Sequence, residues 1–329
     1  MSETKPSFWK RVRYGLESAT VRFFGFIVPL LPRCILLWLA RVLGRLAYWF
    51  DKRGRTTALE NIRVAFGDSL DTSARKEIAV KSFQNFARTM LDLFWFKRLN
   101  QDNYEKYIQI DFPPGVEEKA REKGAIWVTP HYGNFEGTLS MGFRDFPFMI
   151  VMEAQKNPAL TEIFIQRRSI SGHQIILQEG AVIRLLKHLK RGGHAAFLTD
   201  LTIPPGKAST AIECFGLHTC VTAIHALLAQ RTDLPVIPGY IEPLRNGTYT
   251  IHIFEPLEIE KDATVQEIAQ QCWNIFEPQV RKRPEFWLWM YKHWRYLPPG
   301  EEAGENYPQY ANRKKGFDKM LKTLEKEQG

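Results

Sequence analysis

A histidine and a carboxylate stand close together in the stretch Gly124 to Gly137, which reads GAIWVTPHYGNFEG. His131 follows a short apolar run, Ala125 to Val128, that is typical of a buried strand, and Thr129-Pro130 ends that run. Glu136 comes five residues after His131, where a helix is predicted to begin. Such a pair suits general-base chemistry, because a carboxylate can fix the tautomer of the ring and stabilise its protonated form.

The spacing of the pair is weak evidence without its surroundings. With eight histidines and 36 acids in 329 residues, about one His-x4-acid match is expected by chance. Here a strand precedes the pair, Gly133 and Asn134 form a turn, and open α/β sheets keep their chemistry at strand ends. Two interpretations of these residues stay open: a catalytic histidine, and a histidine that caps a helix or bonds a buried carbonyl.

The elements around the pair alternate between strands and helices. Strands are predicted at 147–153 and 195–199, and helices at 157–168 and 180–191. A helix is expected near Thr222, followed by a hairpin of strands 236–241 and 248–254 and a helix that begins with a capping box at Thr264. We therefore predict an α/β fold with a mostly parallel central sheet flanked by helices, because such alternation favours right-handed parallel crossovers.

Residues 20–50 are strongly apolar and aromatic, but four arginines interrupt them. The longest uncharged run is short for a spanning helix, and Pro29 and Pro32 break the stretch. Residues 34–50 can place Arg41 and Arg45 on one face and Leu, Trp and Phe on the other, as an interfacial helix does. We predict an N-terminal membrane-associated helical segment; a buried helical hairpin and a true span are the alternatives.

The composition is that of an ordinary globular protein, with 44% apolar and 25% charged residues. The net charge of +9 favours an anionic partner or surface. The four cysteines show no metal-binding or disulfide pattern, so we expect a reducing compartment and no metal site. The predicted division is an anchoring segment (1–54), an α/β domain (55–297) whose activity is implied by the resemblance described next, and a charged tail (298–329).

Several blocks of sequence occur in the order found in one known family. They are ALENIRVAF at 58–66, HYGNFE at 131–136, KNPALTEIFIQRR at 156–168, TDLTIPPGK at 199–207 and RPEFWLWMYKHWR at 283–295. Over about residues 8–297 the chain resembles the bacterial lipid A biosynthesis (lauroyl/myristoyl) acyltransferases, within the glycerolipid acyltransferase superfamily. It departs from the family pattern at Thr202, where a second acid is usual, and at Tyr291-Lys292-His293, where His-Arg-Arg is usual. These departures bear on the acceptor more than on the chemistry.

The resemblance implies transfer of a fatty acyl group from a thioester to a lipid hydroxyl. It implies His131 as general base and Glu136 as the residue that orients its ring. Supporting or substrate-binding positions are expected at Gly133, Asn134, Asn157, Arg168 and Asp200, with Arg168 and the Gly133 and Asn134 N–H groups as oxyanion donors. It implies an acyl-carrier protein or acyl-CoA as donor, a glycolipid acceptor, an anionic membrane surface, no cofactor, and the cytoplasmic face of the inner membrane.

Three other functions are weighed against this one. The first is acyl transfer to another lipid, such as a lysophospholipid, a mannoside or an aminolipid. The second is a catalytically inactive membrane scaffold that keeps the fold, which the retained His131–Glu136 pair disfavours. The third is nucleic-acid binding, which the dispersed basic residues and the lack of a reading motif disfavour, so we expect no nucleic-acid partner.

Overall fold

The computed structural model describes residues 7–328, and their side chains as far as residue 324. The first six residues of the predicted anchoring segment lie outside this range. The chain begins with four helices: α1 Phe8–Ile27, α2 Arg33–Phe50, α3 Lys52–Phe66 and α4 Thr72–Trp95. The predicted break at the two prolines is confirmed, since a short 3-10 turn, Val28–Leu30, separates α1 from α2.

α3 begins directly after α2. The Asp51 side chain accepts a hydrogen bond from the Gly54 N–H at 2.8 Å, which caps the helix. α2 lies against α4 at very close range. A Cβ atom at Gly44 would come within 2.3 Å of the Gln84 Cα, so only glycine permits this approach.

Among the described residues, no helix combines the length and apolarity that a bilayer crossing requires. The N-terminal helices nevertheless expose large apolar side chains. Trp38 is 60% exposed, Trp49 65% and Phe50 82%. Contiguous exposed apolar surface of this kind marks an interaction face.

The central sheet of the described chain has seven strands: β1 Ile108–Asp111, β2 Ala125–Thr129, β3 Phe148–Met152, β4 Gln174–Leu177, β5 His194–Leu198, β8 Val236–Pro243 and β9 Tyr249–Ile253. A separate hairpin consists of β6 Ser209–Cys214 and β7 Leu217–Thr222, and a small pair of β10 Tyr296–Leu297 and β11 Asn312–Arg313. The sheet order is β1-β9-β8-β2-β5-β3-β4. All neighbours are parallel except the predicted hairpin of β8 and β9.

The remaining helices lie after strand β1: α5 Val116–Lys123, α6 Pro158–Arg168, α7 Ala181–Leu189, α8 Ile224–Thr232, α9 Val265–Lys282 and α10 Lys315–Gln328. The predicted α/β class, with a mostly parallel sheet flanked by helices, is thus confirmed. So is the capping box of α9, in which Thr264 and Glu267 satisfy each other's backbone N–H groups.

One local prediction is wrong, and three features were not predicted. The helix expected after Glu136 is a 3-10 helix, Phe135–Arg144, rather than an α-helix. The β6–β7 hairpin and the edge strands β1 and β4 are absent from the sequence-based prediction. The edge strands have only four residues each, IQID and QIIL, which is too few for a periodicity to stand out.

Tryptophans of the segment 283–295 pack together in the core around Phe215. Trp287 stacks on Phe215 at 5.8 Å between ring centroids, and Trp289 and Trp294 pack on the same phenylalanine. Phe215 has φ 56°, in a tight turn between β6 and β7. The tertiary contacts of this ring offset the local strain, which is of the order of 1–2 kcal/mol.

Candidate active site

The register of the central strands brings His131 and Asp200 together. Thr129 at the end of β2 is paired with Leu198 at the end of β5. His131 and Asp200 each lie two residues beyond these ends. Because parallel strands end at the same edge of the sheet, the two side chains meet above the carboxyl edge, where open α/β sheets place ligands.

The Asp200 carboxylate holds the His131 residue at two points. Its Oδ1 lies 2.7 Å from the imidazole Nδ1, and its Oδ2 accepts the His131 backbone N–H at 3.0 Å. Trp287 Nε1 donates to the same Oδ2 at 2.7 Å. Since a carboxylate only accepts, Nδ1 carries the proton in the neutral ring and Nε2 keeps its lone pair.

Asp200 is ionised despite its burial. Burial opposes ionisation, but the neighbouring His131 and its hydrogen bonds, together with His293 and Trp287, hold the pKa of Asp200 below its usual value. The His131 side chain is 11% exposed, and in the described chain no protein group bonds its Nε2. The arrangement is an oriented imidazole with an open basic nitrogen, which is the geometry of a general base.

Glu136 does not take the position expected for it beside the imidazole. In the described residues it makes no hydrogen bond or ion pair with His131. Its buried carboxylate instead forms a two-point ion pair with Arg168, whose Nε lies 3.0 Å from Oε2 and whose Nη2 bonds Oε1. Asp200 therefore holds the ring, and Glu136 holds Arg168. This ion pair keeps the pKa of Arg168 above its usual value although burial opposes the charge.

A glycine is required at position 133 because two backbone segments approach each other closely there. It has φ +61°, and a Cβ atom there would lie 1.7 Å from the Ile241 carbonyl oxygen of β8. Its N–H donates to the Phe286 carbonyl at 2.9 Å, so that N–H is not free to serve as the oxyanion donor expected from the sequence. Its carbonyl accepts from Asn85 Nδ2 at 2.8 Å.

Asn134 is hydrogen-bonded to a buried charge cluster that was not predicted from the sequence. Its Nδ2 donates to Asp92 Oδ2 at 2.8 Å, and Asp92 is fully buried on α4. Asp92 also accepts hydrogen bonds from the guanidinium of Arg33 and from the hydroxyl of Tyr249. The cluster joins the start of α2, α4 and β9 to the turn that carries His131. An acid between Leu91 and Leu93 in an inward-facing stripe was the available signal.

Asn157 lies at the N-cap of α6, where its Oδ1 accepts from the Ala159 N–H at 3.1 Å. Its Nδ2 donates to the Tyr14 carbonyl at 2.9 Å and to Ser18 Oγ at 3.1 Å, both on α1. At the other end of α6, Arg167 donates to the Gly25 carbonyl at 3.3 Å. Asn157 thus fastens α6 to α1 and, in the described residues, makes no contact with His131 or Glu136.

Comparison with known proteins identifies the family. The sequence model of the family described as bacterial lipid A biosynthesis acyltransferase matches residues 3–296. The chain belongs to this family. It is 21% identical over 299 residues to the lipid A biosynthesis lauroyltransferase of Escherichia coli K12, covering 88% of this chain and 94% of that protein. The expected resemblance is therefore confirmed, and the protein is an acyltransferase.

A solved structure also resembles the chain, at a lower level. It is the 1-acyl-sn-glycerophosphate acyltransferase PlsC of Thermotoga maritima, with 16% identity and a TM-score of 0.35. The match covers 70% of this chain and 97% of that one.

Residues at which this acyltransferase departs from the family pattern contact each other beside His131 and Asp200. Thr202 is buried, and its hydroxyl donates to the His293 carbonyl and lies 3.0 Å from that of Thr219. Tyr291 donates its hydroxyl to the Thr202 carbonyl at 2.7 Å. His293 stacks on Trp287 with ring centroids 3.9 Å apart, and its Nδ1 lies 3.3 Å from the Asp200 carbonyl oxygen.

An apolar cavity lies on the sheet at Thr129, two residues before His131. It extends from Thr129 and Thr138 along the face of β2, and its volume is about 30 Å³, near that of one water molecule. The lining is almost entirely apolar: Trp127, Val128, Met141, Phe148, Ala196, Ile237, Gly239, Ile251 and Ile253. Two larger clefts, of about 1120 and 1020 Å³, are lined by other residues; His131 and Asp200 line neither these clefts nor the apolar cavity.

Proposed function

We propose that this acyltransferase moves a fatty acyl group from an acyl thioester, on acyl-carrier protein or coenzyme A, to a hydroxyl of a lipid A-type glycolipid precursor at a membrane surface. The observation that carries the proposal is the open Nε2 of an imidazole held by a buried, ionised carboxylate. Membership of the lipid A acyltransferase family supports the substrate class. The relative named a lauroyltransferase supports a saturated acyl chain of moderate length.

In the proposed reaction, Nε2 of His131 accepts the proton of the acceptor hydroxyl as its oxygen attacks the thioester carbonyl carbon. The new C–O bond forms, the C–S bond breaks, and the imidazolium returns its proton to the thiolate. Asp200 stabilises the imidazolium by its charge and its Nδ1 hydrogen bond. General-base help of this kind contributes about 10²–10⁴-fold in rate.

Stabilisation of the oxyanion is assigned to Arg168 and the Asn134 N–H. Arg168 uses Nε and Nη2 on Glu136, which leaves Nη1 for the developing negative charge. Glu136 acts through this arginine as a positioning residue. A preorganised charged donor in a water-poor site favours the transition state without reorganisation.

The apolar cavity beside Thr129 is proposed as the start of the acyl site. As described it is too small for a long chain, so entry of the substrate displaces lining side chains such as Met141. Each CH₂ that leaves water would contribute about 0.8 kcal/mol to binding. Residues 1–54 are proposed as the membrane-anchoring segment, because the exposed aromatic face of α2 adjoins basic side chains. We propose the cytoplasmic face of the inner membrane as its place of action.

The catalytic assignment is tested with the full-length protein in lipid vesicles. A dodecanoyl thioester of acyl-carrier protein or coenzyme A is offered with a lipid A precursor, and the product is quantified by mass spectrometry. His131→Ala is expected to lower the rate by about 10²–10⁴-fold. The matched control, His218→Ala, removes an exposed histidine outside the site and is expected to keep wild-type activity.

Two further variants separate the two carboxylates. Asp200→Asn removes the charge beside the ring, so we expect a loss of similar size and an altered pH profile of kcat/KM. Glu136→Gln releases Arg168, so the rate should fall while the pH profile keeps its shape. Equal activity of His131→Ala and His218→Ala would overturn the mechanism.

A further inference from the structure

Three cations in or near the segment 287–295 have no carboxylate partner in the described part of the chain. Arg53 is exposed at the start of α3, and Lys292 and Arg295 are half-buried in the segment between Trp287 and β10. Arg63 of the same helix, by contrast, lies 3.1 Å from Glu60. The three form a group of positive charge that the protein itself does not neutralise.

Aromatic rings hold two of these cations in place. The Lys292 ammonium lies 4.8 Å from the centroid of the Tyr310 ring, and the Arg295 guanidinium 5.7 Å from that of Tyr291. Tyr310 bonds Asn61 through its hydroxyl, and Asn61 Nδ2 donates to the Tyr291 carbonyl at 2.6 Å. Both cations therefore rest on a rigid platform, which reduces the entropy lost when they bind a ligand.

The three charges act on one another. Arg53 lies in the first turn of α3, the helix that also carries Asn61. Burial, followed by the charges of Arg53 and Arg295, lowers the pKa of Lys292. Glu153, exposed at the end of β3, contributes negative charge near Tyr291 but makes no ion pair with these cations. Like charges held together without a counter-ion favour an anionic ligand.

The position of the group connects it to the acyl-transfer site. Tyr291 and His293, on either side of Lys292, contact the backbone of Thr202 and Asp200 respectively. On the other side, Arg53 comes three residues after Phe50, at the end of the exposed apolar face of α2. A substrate lipid that reaches from that face to His131 would bring its headgroup past the three cations.

We propose that Arg53, Lys292 and Arg295 form a binding site for a phosphate group of a substrate. The inference rests on the acyl-transfer function proposed above and extends it to a subsite. Arginine and lysine bind phosphate through strong charge-assisted hydrogen bonds. The phosphate belongs either to the headgroup of the acceptor or to the phosphopantetheine arm of the donor, since both present the same chemistry.

The kinetic test compares Lys292→Gln/Arg295→Gln with a control, Lys187→Gln/Lys190→Gln, which removes two cations at the C-terminal end of α7. Each is assayed with an acceptor that carries a phosphate monoester and with its dephosphorylated form. We expect the first variant to raise KM for the phosphorylated acceptor by about tenfold or more, with kcat nearly unchanged. On the dephosphorylated acceptor it should match the wild type, and the control should match it throughout.

A second arm varies the donor between acyl-coenzyme A and the acyl thioester of pantetheine, which lacks phosphate. A KM penalty confined to acyl-coenzyme A supports the site and assigns it to the donor. A penalty confined to the phosphorylated acceptor supports the site and assigns it to the acceptor. Equal penalties with and without phosphate, or no penalty at all, would overturn the proposal.

A binding measurement makes the inference independent of catalysis. His131→Ala protein, with and without the two glutamine substitutions, is floated with vesicles of phosphatidic acid or of neutral diacylglycerol in phosphatidylcholine. Binding to phosphatidic acid is expected to fall about tenfold or more with the substitutions, and the neutral vesicles should show no difference. If this holds while no substrate is acylated by the wild type, the phosphate site stands and the proposed function falls. Unchanged binding to phosphatidic acid refutes the site, and circular dichroism melts verify folding.

Discussion

The imidazole of His131 depends on a carboxylate 69 positions away in the sequence. Asp200 orients the ring, and Trp287 and the His131 N–H complete the hydrogen bonding of that carboxylate. The nearer acid, Glu136, binds Arg168. The site therefore contains two separate pairs, His131 with Asp200 and Glu136 with Arg168. In the proposed mechanism the first activates the base and the second positions a cation for the oxyanion. The His-x4-Glu spacing joins members of both pairs without being a contact itself.

At the residue scale, Gly133→Ala is expected to disrupt the turn that carries His131. Its Cβ would overlap the Ile241 carbonyl, and alanine at φ +61° adds about 1–2 kcal/mol of strain. We expect a drop of several degrees or more in Tm and loss of acyl transfer. Gly180→Ala is the control, since Gly180 has φ +65° and nothing within 4 Å of an added Cβ. Equal losses of Tm in the two variants would show that crowding at Gly133 is unimportant.

At the scale of elements, α6 links the N-terminal helix to the active site. Its first turn is fastened to α1 by Asn157, and its last residue is the Arg168 that binds Glu136. The N-cap sets where the helix begins, and it therefore helps to fix the position of Arg168 relative to Glu136. The packing of α1 is consequently part of the support of the site.

Asn157→Ala should destabilise the protein by about 1–2 kcal/mol, because it removes an N-cap and leaves the Tyr14 carbonyl without its donor. Asn157→Asp keeps the cap acceptor but loses the donors to α1, and it brings a charge near Glu17. Urea unfolding of both variants separates the two contributions. A stable Asn157→Asp protein would mean that the cap alone matters, whereas equal losses would assign the effect to the contact with α1.

At the scale of the whole molecule, the exposed aromatic residues of α2 predict binding to a bilayer. Trp38→Ser/Trp49→Ser removes two side chains that are 60% and 65% exposed, so folding should be little affected. Partitioning to anionic vesicles should fall about tenfold or more for each tryptophan, since burial of a large apolar side chain contributes about 1.5–3 kcal/mol. Co-sedimentation measures the effect. Trp9 lies at the start of α1 and is 78% exposed, so Trp9→Ser shows whether the effect extends to that helix. Unchanged partitioning of the double variant would contradict an interfacial α2.

Buried histidines predict acid sensitivity of the whole fold. Burial lowers the pKa of His173, His194 and His225 to about 4 in each case. The unfolded chain then binds more protons than the folded one between about pH 6.5 and 4, so stability falls as the pH drops through that window. Each histidine contributes at most about 1.4 kcal/mol per pH unit.

His225→Leu tests this dependence, because neither ring nitrogen of His225 has a partner in the described chain. Whatever its absolute stability, the variant should show a smaller loss of unfolding free energy between about pH 6.5 and 4.5. Urea unfolding at several pH values measures the slope. An identical slope in the wild type and the variant would mean that His225 does not contribute.

Local patterns in the sequence determine much of this molecule. The apolar run that became β2, the prolines that separate α1 from α2, the cap of α6 and the capping box of α9 all follow from side chains within a few residues of each other. Ordered motifs also identified the family. His131, Arg168 and Asp200 could be singled out in this way, each with its place at the end of an element.

Tertiary structure alone decided which of these residues meet. His131 and Asp200 face each other because β2 and β5 are neighbours in a given register, and nothing within either segment encodes that neighbour. The same holds for Glu136 with Arg168, and for Asp92 with Asn134 and Arg33. Strand order and helix docking arise from the burial of the whole apolar surface. Pairings between distant polar groups therefore emerge only once the chain has folded.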